Sequence, residues 1–281
     1  MAPPPPASNL SLRDKFLALA KTLQFAWFSG HLLLLLCIFR YFITFSFTTG
    51  WAWITYRTAF LSAALTYGIV VYKTWRARQK VGAKYPGGVI GILSDENVQY
   101  LALALVWLLS PQYSLAMLPF GIYSIFHVAT YTRNNLIPAF QSSKAPAGAP
   151  PGTKPAGASP IAEAIGSFVK QYYDTSMSVV ATLEILIWVR LFLSAILFQR
   201  RSWILITVYT AFLRTRFAQS SHVQDSFRVL ESRIDSLVGA QGTPPAARTL
   251  WDSAKSAVRH FHDVTDLGKY TSGSSVPKKT S

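Results

Sequence analysis

The chain has 281 residues, of which 51% are hydrophobic and only 14% charged, and its net charge is +15. Soluble domains carry about 25% charged residues; here the deficit is concentrated in long windows almost free of charge, which excludes a soluble core and points to membrane spans. The excess Lys and Arg flank apolar runs and build no separate basic domain, so the expected partner is the anionic cytosolic face of a bilayer and not nucleic acid.

Residues 1–22 form an N-terminal segment. Its Pro-rich start has no basic cluster ahead of a short apolar stretch, so no cleavable signal peptide is expected. The sequon Asn9-Leu10-Ser11 matters only on a lumenal N-terminus and is read as chance. Ser11 and Asp14 have capping-box spacing, which predicts a helix start. Residues 23–72 read as a first apolar hairpin. Leu23–Phe47 is interrupted only by His31 and Arg40, Thr48-Thr49-Gly50 makes a turn, and Trp51–Tyr72 returns. Each arm is long enough to cross about 30 Å of hydrocarbon. Arg57, near the turn, is expected to snorkel to the headgroups. The lone Cys37 rules out an internal disulfide.

Residues 73–96 read as a basic loop. Lys73, Arg76, Arg78, Lys80 and Lys84 are followed by no acid before Asp95, which predicts a cytosolic position for this loop. The N-terminus, two spans away, is then cytosolic too. Ser94, Asp95 and Glu96 open a second apolar hairpin over 97–132. Tyr100–Leu109 is short, Ser110-Pro111 breaks it, and Tyr113–Ala129 contains Pro119, so a tight, shallow hairpin is expected. Residues 133–175 read as a linker, disordered over the Ala, Pro, Gly and Ser-rich stretch 141–160.

The third apolar region is 176–213. Met177–Phe198 contains Glu184 and Arg190, whose spacing puts them on different helix faces, so they need separate partners. A transport path is the sharp reading of such charges, and structural pairing is the favoured one. Arg200 and Arg201 then precede the shorter run Trp203–Leu213, and a lumenal turn there strains the positive-inside rule.

Residues 214–281 form a tail with two amphipathic segments. In the first, Val223, Phe227, Leu230, Ile234 and Leu237 make a narrow stripe suited to packing on another helix. The second is predicted to start with Thr243 as N-cap and Pro244 as first helical residue. Leu250, Trp251, Ala254, Ala257, Val258, Phe261 and Val264 line its apolar face, opposite Arg248, Asp252, Lys255, Arg259, Asp263 and Asp266. Leu250, Trp251, Ala254, Val258, Phe261 and Val264 are the candidate membrane-binding residues; docking on protein is the equally weighted alternative. Lys278 and Lys279, just before the end, resemble a dilysine retrieval signal of the endoplasmic reticulum.

Catalytic constellations do not emerge. His260 and His262 fall on different helix faces, which disfavours a metal site. His31 and His127, in or beside apolar runs, are expected as satisfied buried histidines. No cofactor is expected.

One stretch carries a family resemblance. Leu118-Pro119-Phe120, Ser124 and His127-Val128-Ala129-Thr130-Tyr131-Thr132-Arg133 resemble the central signature of the transmembrane protein 33 family, which includes the fungal pore membrane proteins. Weaker similarity extends to Glu184, Arg214 and Arg216, and the match covers roughly residues 95–235 and, less clearly, the first hairpin. The Pro/Ala linker departs from the short connection expected there. The resemblance implies a location in the endoplasmic reticulum membrane and nuclear envelope. It also implies a role in shaping tubular membrane, with reticulon-type membrane proteins and nuclear pore proteins as partners, and no catalysis. The sequence thus predicts an all-α, polytopic membrane protein with helical hairpins and a cytosolic amphipathic tail. The expected function is non-enzymatic membrane organisation in contact with the lipid bilayer; the alternative is a channel or transporter subunit, motivated by Arg40, Arg57, Glu184 and Arg190.

Overall fold

A computed structural model describes residues 12–44, 50–83, 85, 88–140 and 159–265. The expected turn at 48–49, the low-complexity stretch 141–158 and the Lys278-Lys279 end lie outside the described residues. All regular elements among those described are helices, and four are long and apolar enough to cross a membrane. The chain is an all-α polytopic membrane protein.

The helices are α1 (Leu12–Ala20), α2 (Leu23–Ile43), α3 (Gly50–Val81), α4 (Gly88–Leu93), α5 (Glu96–Leu109), α6 (Met117–Tyr131), α7 (Ile137–Phe140), α8 (Pro160–Ile196), α9 (Ser202–Gln219), α10 (Ser221–Gly239) and α11 (Pro245–Val264). Local chemistry explains their ends. The Thr22 hydroxyl accepts from the Phe25 amide at 3.1 Å and starts α2. Pro111 stops α5 as expected, whereas Pro119 sits in the first turn of α6, where its missing N–H has no intrahelical role.

Three expectations are corrected. The basic segment after residue 72 is not a loop through most of its length, because α3 continues to Val81; Lys and Arg are good helix formers and prolong the span beyond its apolar part. The second hairpin is not shallow in its second arm. A 3-10 turn at Ser114–Ala116, α6, a π-helical turn at Thr132–Leu136 and α7 run together as a span-length helix, Ser114–Phe140. Pro138 would clash with a carbonyl of a regular α-turn, and the wider π-turn accommodates it. The linker is therefore narrower than 133–175, since 133–140 and 160–175 are helical.

The chain divides into two compact units. The first comprises residues 1–80 and 96–183. Its core is aromatic: Phe120 meets Phe60, Tyr67 and Tyr100 at centroid distances of 5.4, 5.9 and 5.5 Å. Phe126 packs with Met177 and Val180. Gly30 lets α2 and α3 approach closely, because a Cβ there would overlap the Thr66 methyl group. The second unit comprises residues 81–95 and 184–281. It contains α4, the C-terminal part of α8, α9 and the tail helices.

Candidate functional site

In the first unit, several polar groups find partners inside the bundle. The His31 ring is hydrogen-bonded to the Ser124 hydroxyl at 2.8 Å and buried. His127 lies against His31 at 4.6 Å and Trp27 at 4.9 Å. Tyr131 stacks on Phe28 at 4.6 Å, and Arg133 packs over Gly166, which has no Cβ to obstruct it. The signature around residues 118–133 is thus a packing surface on α2, α3, α5 and α8. Arg40 donates to the Thr55 hydroxyl at 2.8 Å and lies over the Trp51 ring. Arg57 does not snorkel as expected. It donates to the carbonyls of Trp107, Leu108 and Ser110, the last of these at 2.7 Å. The C-terminal carbonyls of α5 lack intrahelical donors and carry the negative end of the helix dipole, so they offer the guanidinium acceptors inside the bundle.

In the second unit, Glu184 and Arg190 have separate partners, as their spacing predicts. The Glu184 carboxylate accepts from Arg216 Nε at 3.4 Å, and both side chains are buried. Arg190 is exposed and donates to the Ser194 hydroxyl at 3.3 Å. The Trp188 indole donates to the Thr210 hydroxyl at 2.9 Å, in register with an antiparallel α8–α9 hairpin.

The tail forms a second antiparallel hairpin. Ser220 caps α10 by accepting from the Val223 amide. Pro244, not Thr243, is the N-cap of α11: Thr243 instead donates to the Leu237 carbonyl at 3.2 Å, closing the preceding helix. Between the two helices, Asp235 accepts from the Trp251 indole at 2.6 Å and from Lys255 at 2.9 Å, and Glu231 pairs with Arg259 at 3.6 Å. These donors hold the Asp235 carboxyl below the usual aspartate range, and Asp235 raises the Lys255 ammonium above the usual lysine range. Arg214 of α9 donates to the Thr265 hydroxyl at 2.8 Å and to the Thr265 and His262 carbonyls, capping the end of α11. Phe217 packs on both Phe227 and His262. Gln219 donates to the Ser94 carbonyl at 2.8 Å.

The apolar faces of this hairpin are left uncovered. Leu250 is 72% exposed, Val258 66%, Val264 61% and Leu237 73%. Ala254, Ala257 and Phe261 are exposed as well. Val223 is buried, and Phe227 and Ile234 are half-buried, so the α10 stripe packs on protein only in part. Trp251, grouped with the membrane-facing set on the sequence, is drawn into the hairpin interface by Asp235. On α10, the residues that meet α11 lie roughly a quarter turn from the Phe227–Leu237 stripe. On α11, Lys255 and Arg259 lie roughly two-fifths of a turn from the Leu250–Val264 stripe, in the same sense. Because the helices are antiparallel, both stripes fall on one side of the hairpin. The shared side is not legible in the sequence, and Asp235, which bridges the two helices, does not stand out there by spacing; Arg214, marked only by the family resemblance, reaches the end of α11.

The model for "Transmembrane protein 33/Nucleoporin POM33" matches residues 5–262. The chain belongs to this family. It is 62% identical to "Nucleoporin POM33" of Chaetomium thermophilum over the full length of both chains. It is 32% identical to "Pore membrane protein of 33 kDa" of Saccharomyces cerevisiae, over 90% of this chain and 88% of the relative. It is 29% identical to "Tetra-spanning protein 1" of Schizosaccharomyces pombe, over 89% of this chain and 88% of the relative. No solved structure matches. Among the described residues there is no cluster of His, Cys, Asp and Glu able to hold a metal ion.

Proposed function

We propose that this protein is a non-enzymatic organiser of the endoplasmic reticulum membrane and nuclear envelope, with its tail hairpin on the cytosolic bilayer surface. The observation that carries this reading is the one-sided apolar surface of α10 and α11, joined to membrane-spanning helices. An amphipathic surface inserts its apolar side at the headgroup boundary, and a transmembrane anchor raises its effective concentration there. Wedged into one leaflet, it favours curved membrane, which supports a role in tubule shaping and nuclear pore assembly. The names of two relatives, a nucleoporin and a pore membrane protein, agree with this, and a third is named "Pore and endoplasmic reticulum protein of 33 kDa". Reticulon-type membrane proteins and nuclear pore proteins are the partners this role calls for. Lys278 and Lys279 serve as the retrieval signal.

The membrane-contacting residues in this reading are Leu250, Ala254, Val258, Phe261 and Val264, with Trp251 holding the hairpin closed. The charges that motivate a channel favour the organising role instead: Arg40, Arg57 and Glu184 contact neighbouring helices, and Arg190 contacts its own. The test reconstitutes the full chain into vesicles containing phosphatidylserine and follows hydrogen exchange over 245–265 together with vesicle shape. Val258→Asp with Phe261→Asp removes the protection and the narrowing of vesicles while leaving insertion intact. Equal protection in wild type and double variant refutes the lipid contact. Ion flux through the wild-type vesicles, abolished by neutralising Glu184 and Arg190, supports the channel reading instead.

A further inference from the structure

The α8–α9 hairpin is short between its charged levels. Its turn, residues 197–201, includes two side-chain-bearing residues with left-handed backbone, Phe198 (φ 51°) and Arg201 (φ 64°). A bulky residue in that conformation is uncommon and is held there by the closing of the hairpin. The turn presents Phe198, 81% exposed, beside Trp203 at 6.2 Å. Arg200 and Arg201 are exposed, and neither guanidinium has a protein partner among the described residues. Arg190 adds a further charge at this level, because its side chain reaches toward the turn to meet Ser194. Aromatic rings beside unpaired arginines suit a headgroup layer, where the rings sit at the interface and the guanidinium groups bind lipid phosphates.

The opposite charged level is close. Arg214 lies about 18 Å from Ser202 along α9, at about 1.5 Å per residue. At that level it grips the C-terminal carbonyls of α11, whose polar side carries Asp252, Arg259 and Asp263 and needs water or headgroups. The buried Glu184–Arg216 pair lies one turn or less beyond. The intervening run Trp203–Leu213 spans roughly 17 Å, against about 30 Å for an ordinary hydrocarbon core. The hairpin cannot slide to relieve the mismatch, because sliding either way drives a set of charges into hydrocarbon. Tilting only shortens its reach along the bilayer normal.

We propose that the α8–α9 hairpin thins the bilayer locally, with the Arg190, Arg200 and Arg201 side chains holding lipid phosphates at one level and the tail hairpin, tied to α9 by Arg214, held at the headgroup level of the opposite leaflet. Thinning is a second means of deforming membrane, distinct from wedging by the tail, and it rests on the membrane-organising reading above. Bilayers comply with such mismatch by thinning at modest cost per ångström.

The test uses the full chain carrying Cys37→Ala, with single cysteines placed at the exposed α9 positions by Ile204→Cys, Val208→Cys, Ala211→Cys and Ala218→Cys. Each is spin-labelled and reconstituted in phosphatidylcholine vesicles with some phosphatidylserine, with either myristoleoyl or oleoyl chains. Collision with oxygen against a water-soluble nickel complex reports depth. In the thinned bilayer, depth is greatest at 208 and the label at 218 is freely accessible to nickel, in both lipids alike. If the bilayer is undeformed, depth in oleoyl lipid is greatest near 211 and the label at 218 stays shielded from nickel. That outcome overturns the thinning and leaves tail wedging untouched. Nickel access at all four positions overturns the membrane placement of the hairpin itself, and the organising reading with it.

Discussion

The bundle of the first unit and the tail hairpin solve opposite problems with similar material. In the bundle, aromatic side chains fill the interior, and the few polar groups there, such as His31 with Ser124, find each other inside. In the tail, the contact between α10 and α11 is itself polar, built on Asp235, Glu231, Lys255 and Arg259. Its apolar side chains are turned outward on one side. In lipid an unsatisfied polar group has no alternative partner, so polar pairing is confined to the interior. On a water-facing surface charges can close the hairpin and leave the apolar stripes uncovered, which is the arrangement that the proposed lipid contact requires. The two arrangements therefore respond differently to substitution.

The largest effect is expected at the buried pair between α8 and α9. Glu184→Gln or Arg216→Leu leaves its partner without full compensation and should cost about 3–5 kcal/mol. Thermal unfolding of the purified protein in detergent measures it. The double variant Glu184→Leu with Arg216→Met should recover much of the loss, because neither charge is then stranded; a double variant as unstable as either single one would show that the pair is needed for more than compensation.

Close packing of the bundle comes next. Gly30→Ala places a Cβ against the Thr66 methyl group, and such overpacking should cost about 1–3 kcal/mol. Gly68→Ala meets only Leu101 Cδ1 at 4.0 Å and should be close to neutral or stabilising, since alanine favours the helix. Equal melting temperatures for the two variants would break the claim that α2 and α3 are in close contact at Gly30.

The tail should lose almost no stability when its apolar side is altered. Val258→Asp changes an exposed position and should shift unfolding in detergent by no more than about 0.5 kcal/mol, while membrane contact of the tail is lost. A large destabilisation would mean that the stripe packs on protein.

The smallest effect concerns pH. The Asp235 carboxyl is held below its ordinary range by Trp251 and Lys255. Its contribution to hairpin closure is therefore present above the unfolded-state value and lost as pH falls through the lowered folded value. Lys255 is held above its ordinary range, so its contribution is present below the unfolded-state value and lost as pH rises through the raised folded one. Closure should thus be flat across neutral pH and weaken only at the acidic and alkaline ends. Tryptophan fluorescence of Trp251, with the other Trp replaced by Phe, follows it, and Asp235→Asn should flatten the acidic limb.

Apolar runs, capping residues and prolines by themselves determined the helical class, the positions of α2, α5, α10 and α11, the apolar parts of α3 and α8, and the break at Pro111. These follow from local hydropathy and backbone chemistry, which a linear pattern records directly. The same pattern placed Glu184 and Arg190 on different faces and so anticipated their separate partners. It also identified the amphipathic character of both tail helices. Only tertiary structure decided which charges meet. Glu184 and Arg216 are 32 positions apart, and Arg57 reaches the end of α5 across 53 positions to Ser110; no local spacing encodes such pairs. The continuation of α6 past Pro138 depended on a π-turn that sequence rules treat as a helix end. Trp251 belongs by periodicity to the apolar face of α11, yet Asp235 on the neighbouring helix draws it to the hairpin contact. The shared side of the two apolar stripes was decided the same way. Periodicity fixes each stripe on its own helix, but the rotation of one helix against the other is set by the side chains that bridge them.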